Sequence, residues 1–499
     1  MESLSDEVWD VVIAGTGIPQ SLLALSLSRS GKKVLHVDRH GYYGGNDAGL
    51  SLQDAEDWVE DLKSHPVTVF KDASISKPSD DILGPSRSYT LSLNPQIIYA
   101  QSKFLPTLVS SKIHAQLEFL AVGSWWVHRD GALHKIPSTR EDVFNDESLS
   151  MKDKRGLMKF LRYVLQEGDE TTTPLEDEAL MSLQTALETT FKVPASLQSP
   201  LLALALSPVP ATSIPFDKAL ARIRRHMRSM GYFGPGFGAV IAKYGGNSEI
   251  SQVACRAGAV GGGVYLLGQD LRSFDTDTAG TNDADIDPSL LQGILADGTK
   301  IKSRLLAGTF DDIPNMDPAL TRENPSNAVW RSINIVADPL QSLFPQTSDN
   351  GPVPAAAIVL VDTGETDKSP IYLQIHSEDT GECPNGQCII YGSLQADDSA
   401  SKQRLEAAVR SFLETQGVAP ASLWSLTYTA SAAAAHSAVD LTLSRPRPSV
   451  LVFPPQPYDI AFPDNVLDIV KAAWKTILGS DVEDDSFLRF EEREHEVDD

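Results

Sequence analysis

Cysteine is nearly missing from this chain. Cys255, Cys383 and Cys388 are the only three among 499 residues, too few and too scattered for a disulfide framework. Cys383 and Cys388 share the loop CPNGQC, but zinc needs further Cys or His ligands and the neighbouring sequence offers none, so no metal site is expected. Basic residues are also scarce: 42 Lys and Arg stand against 67 Asp and Glu, a net charge of −25, which excludes a nucleic-acid binder of the basic-patch kind. No apolar run reaches the roughly 18 residues that suggest a membrane span. The opening MESLSDEV is acidic, where a secretory signal is basic and then apolar. A cytosolic protein is expected. Internal repeats are missing too. The composition is otherwise globular, at a length that suits two or three domains.

From Trp9 to Ala14 the run WDVVIA is apolar and β-branched, the pattern of a buried parallel strand, and it stops at Gly15-Thr16-Gly17. Ile18 to Ser30 carries Pro19 where a first helical turn tolerates it, then Leu22, Leu23, Leu25 and Leu27, and gives way to Gly31; this predicts a helix with a glycine stop. Lys32 to Asp38 returns to strand character and ends on an acid 23 positions after Gly15. The result is a β-turn-α-β fingerprint of the dinucleotide-binding type.

Residues 141–230 read as helical. Apolar side chains recur at helical spacing over Leu157, Leu161, Val164 and Leu165, over Leu180, Leu183, Leu187 and Phe191, and over Phe216, Leu220, Ile223, Met227 and Met230. A glycine-rich return, Gly231 to Gly238, then resumes mixed α/β character. The expected class is therefore α/β, a Rossmann-type, FAD-binding-like domain that is discontinuous (1–140 and 231–463), interrupted by an all-helical insertion at 141–230. A C-terminal helix and acidic tail occupy 464–499. Ser273 to Ser289 and Ser480 to Asp499 are acidic and read as solvated surface.

A full dinucleotide fingerprint is Gly-x-Gly-x-x-Gly, the third glycine allowing close helix–strand packing. Here Gln20 holds that third position after Gly15 and Gly17, so the fold can survive while a flavin site is compromised. Asp38 suits a ribose contact, or equally a strand-end acid satisfied by loop amides. Downstream, Gly41-Tyr42-Tyr43-Gly44-Gly45-Asn46 sets two tyrosines on a loop, where they either pack or serve as a rigid contact surface.

The block Asp10 to Asn46, with its GTG, its Gln20 and its KKVLHVDRHGYYGGN, resembles the first signature region of the Rab GDP-dissociation inhibitor and Rab escort protein superfamily. A second block, Tyr89 to Trp126, and a third, Gly231 to Leu267, come after it in the family's order. The resemblance implies a domain similar to flavin-dependent oxidases that has lost its FAD and binds GDP-bound Rab GTPases. The family's Rab-binding residues map onto Tyr43, Glu249 and Arg256, with Leu266 as an apolar neighbour. The motif is degenerate, since Asn247-Ser248-Glu249-Ile250-Ser251-Gln252 replaces the family's Gly-Glu-Leu-Pro-Gln. On a helix opened by Ser248 as N-cap, Glu249 and Arg256 would share a face about 10 Å apart along the axis. The same two charges would also complement the helix dipole.

Escort proteins present unprenylated Rab to the Rab geranylgeranyltransferase α/β heterodimer, and resemble one another in a Phe and an Arg eleven apart that dock on its α subunit. Phe144 and Arg155 stand eleven apart here, which favours the escort branch over the dissociation inhibitors, with an FAD-dependent oxidoreductase as a more distant alternative. This role is non-catalytic and brings transient membrane contact. A geranylgeranyl chain needs apolar shelter at about 0.8 kcal/mol per CH₂, expected in a groove lined by Leu157, Leu161 and Leu183.

Overall fold

The computed structural model describes residues 4–64, 69–78, 83–137, 150–166, 181–234, 236–275, 290–314, 316, 328–346, 351–395, 400–419, 422–431, 442–455, 457–479 and 482–490. Along the chain, α1 (Ile18–Arg29) comes directly after the first strand, α2 (Met151–Leu165) and α3 (Phe216–Ser229) lie in the predicted helical region, α4 (Asn247–Val260) succeeds the return to strand, and α5 (Asn465–Leu478) comes near the C-terminus.

Val8–Ala14 sits inside the first sheet, parallel to Val34–Asp38 on one side and to Lys300–Thr309 on the other. Val264–Leu267 and Val450–Phe453 extend the parallel set outward, and Leu291–Leu295 with Leu271–Asp275 adds an antiparallel margin. Both faces of Val8–Ala14 are covered, which is why it reads as a continuous apolar run. Val11 and Ile13 meet a layer built by Leu22, Leu25, Val253, Ala254 and Val470 of α1, α4 and α5, while Val12 and Ala14 join a second cluster on the other face.

The second sheet runs Phe70–Ser76, Trp424–Ser431, Ala328–Val336, Cys388–Gln395, Ile371–His376, Ala356–Val361, Phe119–Arg129 and Ala239–Ala242. Its pairings are antiparallel except where Ala356–Val361 lies parallel to Phe119–Arg129. Against it packs the helical layer. Ser150 caps α2 by accepting from the Asp153 N–H at 3.2 Å, and Leu157, Phe160 and Val164 then recur at helical spacing on the face that meets Phe191, Leu220 and Ile223 over Val122 and Ile358. Between Lys135 and Ala239 the described residues hold helices, an isolated Ser182–Pro215 bridge and no strand.

Three expectations need correcting. Ser273, Phe274 and Asp275, expected in a solvated loop, lie in a strand paired with Leu291–Leu295; the alternation of Leu271 with exposed Arg272 is an edge strand's signature, hidden by the acidic run directly after it. The C-terminal stretch is not wholly solvated surface, because Leu488 is buried and the Phe490 N–H donates to the Ser110 carbonyl at 3.0 Å. α5 packs into the first sheet's helix layer through Val466, Val470 and Trp474 rather than standing apart. No helix among the described residues is long and apolar enough to cross a membrane.

Arginines of α3 join the helical layer to the rest. Arg222 pairs with Asp459, and the Arg225 guanidinium lies 4.7 Å from the Tyr99 ring centroid. Burial alone would raise the Asp459 pKa, but Arg222, through charge and hydrogen bond, and Arg225 overcome it and hold the carboxyl below its ordinary value. A depressed carboxyl stabilises the fold above its unfolded pKa, and that contribution is lost as pH falls through the folded value. Arg222→Met should therefore cost about 3 kcal/mol at pH 7, by stranding a buried carboxylate. Urea unfolding midpoints of the variant and the parent should converge as pH is taken below the ordinary carboxylate range.

Candidate functional site

The glycine turn after the first strand brings the N-terminus of α1 to the loop that carries the two tyrosines. Asp38 ends its strand fully occupied: Oδ2 accepts from the Thr16 N–H at 2.8 Å and hydroxyl at 2.6 Å, and Oδ1 from the His40 N–H at 2.8 Å. It is thus a loop-satisfied acid, with no oxygen turned out towards a ribose. Gln20 folds back over the turn, its amide donating to Asp312 Oδ2 at 3.1 Å. A β-carbon on Gly17 would come within 2.9 Å of Gln20 Oε1, and one on Gly15 would run into the Asp312 carboxylate.

The loop closes on the same turn. Gly44 and Gly45 adopt φ of +106° and +52°, a bend that favours glycine, and Gly45 packs so close that a β-carbon there would lie 3.4 Å from the Gly17 nitrogen. Asp47, fully buried, comes next. Its Oδ2 faces the Ile18 N–H at 3.5 Å, at the positive end of α1, and its Oδ1 accepts from Asn94 Nδ2 at 2.8 Å. Asn247, the first residue of α4, lies close by, its amide donating to Gln96 Oε1 at 2.8 Å. Burial raises the Asp47 pKa, and these donors pull it back. The cradle that a helix N-terminus offers a pyrophosphate is thus taken up by Asp47, Gln20 and Gly45 of the chain itself. These residues do not fit a dinucleotide.

Tyr42 turns inward and stacks on His40 with ring centroids 4.8 Å apart. Tyr43 stays half-exposed, close enough to Cys255 and Arg256 for both to act on its hydroxyl, whose pKa burial raises. On α4, Ile250, Val253, Ala254 and Ala257 are buried, which leaves Glu249 and Arg256 outward. Their side chains meet at 3.9 Å, with Arg256 54% exposed and Glu249 20%. Burial raises the Glu249 pKa against the pull of Arg256. The structure therefore brings Tyr43, Glu249 and Arg256 onto one face.

Two expectations about this face fail. Ser248 is not the N-cap: α4 starts at Asn247 after Gly246, and the Ser248 hydroxyl donates back to the Gly245 carbonyl at 2.9 Å. Leu266 points to the opposite side of its strand, into the cluster of Val12 and Val37, so it is no neighbour of Arg256. The adjacent residue, Tyr265, takes that place, against His36 with centroids 5.1 Å apart and within reach of Cys255 and Tyr43.

Arg155 is exposed on α2, and Phe144 lies outside the described residues. Leu157 and Leu183 are buried in the helical core and Leu161 is half-buried against it, because the apolar stripe of α2 is used up on its neighbours and the second sheet. An open apolar groove does exist elsewhere. It encloses about 650 Å³ between the Phe104–Ser110 helix and the Tyr232–Phe233 turn, with Val109, Tyr232 and Phe233 each more than half exposed. The aromatic pair inside the glycine-rich return was its sequence signal.

Asp47→Ala should leave the Asn94 amide and the Ile18 N–H without an acceptor and cost about 2–3 kcal/mol in urea unfolding. Amide hydrogen exchange at Gly44, Gly45 and Ala48 should quicken in that variant while exchange in Val8–Ala14 holds.

Comparison with known proteins bears out the fold class. The chain is 28% identical to the Rab proteins geranylgeranyltransferase component A of Saccharomyces cerevisiae over 409 residues, 80% of this chain and 64% of that protein. Against the Drosophila melanogaster component A it is 32% identical over 277 residues, 52% of this chain and 53% of that protein. A guanosine nucleotide diphosphate dissociation inhibitor of Arabidopsis thaliana is 27% identical over 415 residues, 81% and 83% of the two chains. The matched stretch thus spans less than two thirds of the yeast relative's length. Among solved structures, Rab GDI from Plasmodium falciparum superposes with a TM-score of 0.64 at 20% identity, covering 96% of this chain and 99% of that one. Cyclohexylamine oxidase from Brevibacterium oxydans superposes at 0.52 and 11%, covering 94% and 99%. The fold is thus shared with Rab GDI and with an oxidase, and the family pattern described as GDP dissociation inhibitor matches residues 5–416. The chain belongs to the GDP dissociation inhibitor family.

Proposed function

We propose that this chain is a Rab escort protein: it binds a GDP-bound, unprenylated Rab GTPase on the face of Tyr43, Glu249 and Arg256 and presents it to Rab geranylgeranyltransferase, without chemistry of its own. The observation that carries this reading is the outward pair on α4 beside a half-exposed aromatic, the composition of an interface hot spot. The component A names of the yeast and fly relatives support the escort branch. Arg155, exposed on α2 and far in sequence from the Tyr43 face, is the group we assign to the transferase, with Phe144 as its expected companion. The groove at Tyr232 and Phe233 offers apolar cover to a segment leaving the GTPase body, a place better suited to it than the closed core around Leu157 and Leu183.

The dissociation-inhibitor reading draws on the Arabidopsis relative, whose match reaches 83% of that protein's length. Two titrations separate the branches. Arg256→Ala should weaken binding of a GDP-loaded Rab by about 1–3 kcal/mol while the circular dichroism spectrum holds. Arg155→Ala should weaken binding to the transferase and leave Rab affinity unchanged. A parent protein with no affinity for the transferase would move the assignment to the dissociation inhibitors.

We also propose that the chain carries no flavin, since Asp47, Gln20 and Gly45 fill the turn where a pyrophosphate would lie. The purified protein should show no absorption band in the visible, and denaturation should release no FAD; a stoichiometric yield would return the oxidoreductase reading.

A further inference from the structure

We propose that Tyr244 is a further contact for the GTPase, a rigid aromatic anchor at the N-terminal end of the α4 face; this rests on the reading of that face as the GTPase-binding one. Tyr244 is 50% exposed, a large ring left in water by a fold that buries its other tyrosines around the glycine turn more fully. Its φ is +65°, in the left-handed region where a bulky side chain is strained. Strain of this kind persists only where neighbours over-determine it, and it gathers at binding sites.

The neighbours are all present. The Tyr244 N–H donates to the Thr380 carbonyl at 2.9 Å. The ring lies on Gly381, where a β-carbon would fall 2.6 Å from Tyr244 Cδ1, so a side chain there would unseat it. On another side stands the Lys243 ammonium, 5.0 Å from the ring centroid, itself held by the Glu118 carboxylate at 3.0 and 3.2 Å. The supporting loop is anchored from inside, since the buried Glu382 carboxylate pairs with His376 Nδ1 at 2.8 Å and accepts from the Tyr391 hydroxyl at 2.9 Å. These contacts fix the direction of the ring without burying it.

Five residues further on is Glu249, and α4 then carries the face to Arg256. An exposed aromatic held in one orientation loses little entropy on binding, which makes it an effective anchor beside a charged pair. Tyr244 would fill an apolar depression on the GTPase next to the groups that meet Glu249 and Arg256. The ring is therefore a contact that extends the same interface, not a separate site.

The test uses the full chain with Tyr244→Asn, Tyr244→Phe and Gly381→Ala, and Arg256→Ala as the reference, each titrated against a GDP-loaded, unprenylated Rab and monitored in thermal unfolding. Tyr244→Asn should weaken binding by about tenfold or more while its unfolding midpoint holds or rises, because Asn tolerates the left-handed region. Tyr244→Phe should keep affinity within about threefold, since the ring carries the contact. Gly381→Ala, which displaces the ring, should fall between the two. Native affinity in Tyr244→Asn with weakened Arg256→Ala overturns the proposal and leaves the reading of the face standing. Affinity lost only in step with thermal stability makes Tyr244 structural and overturns it as well. If Arg256→Ala and Tyr244→Asn both bind as the parent does, the GTPase sits elsewhere and the reading of the face fails with the proposal.

Discussion

One buried carboxylate at the positive end of a helix sets the geometry of this protein. Asp47 meets the N-terminus of α1 and the Asn94 amide and lies close to Asn247, the first residue of α4, so three segments distant in sequence gather round a single side chain. A charge in such a place is stable only while it is held by donors and a helix dipole. Because Asp47 lies on the loop that carries Tyr43 and close to the start of the helix that carries Glu249, the outward face inherits the precision of the interior. The glycine turn and the helix N-terminus beside it act here as a structural joint.

The face itself is built on weak electrostatics. The Glu249–Arg256 pair is long, at 3.9 Å, and its guanidinium is more than half in water, so it contributes about 0–1 kcal/mol to the fold. Giving it up to a partner's charges therefore costs little. The strong pair, Arg222 with Asp459, is largely buried and joins the helical layer to the core. The firm pair thus lies inside and the exchangeable one outside.

Much of this is legible in the residues. The apolar run Trp9–Ala14, the glycine turn and the helix after it announce the first sheet, and Gln20 in the third glycine position announces a turn closed on itself. Glu249 and Arg256, seven apart, can share a face only on a helix. The differences have physical causes. Family resemblance puts Leu266 on the face, but the four-residue run Val264–Leu267, an edge strand half-buried throughout, is apolar or aromatic at every position and carries no alternation to say which side chain points where, and the register puts Tyr265 there instead. The apolar stripe of α2 looks the same whether it lines a groove or a core, and it is core. Ser248 has the chemistry of a cap, yet the Gly245–Gly246 bend starts the helix two residues earlier. The edge strand at Leu271–Asp275 is masked by the acidic composition of the residues after Asp275.

The pairing of Val8–Ala14 with Lys300–Thr309 has a consequence for how the chain is made. The first strand leaves the ribosome with its helix and its neighbour Val34–Asp38, but its partner on the other side is nearly three hundred residues downstream and Val450–Phe453 later still. At about 5–20 residues per second of synthesis, that interval lasts from about a quarter of a minute to a minute. Throughout it the N-terminal unit presents an unpaired, β-branched strand edge, the kind of surface that recruits wrong partners. Completion of this sheet therefore waits on translation, and the nascent protein depends on whatever shields that edge until the last strand arrives.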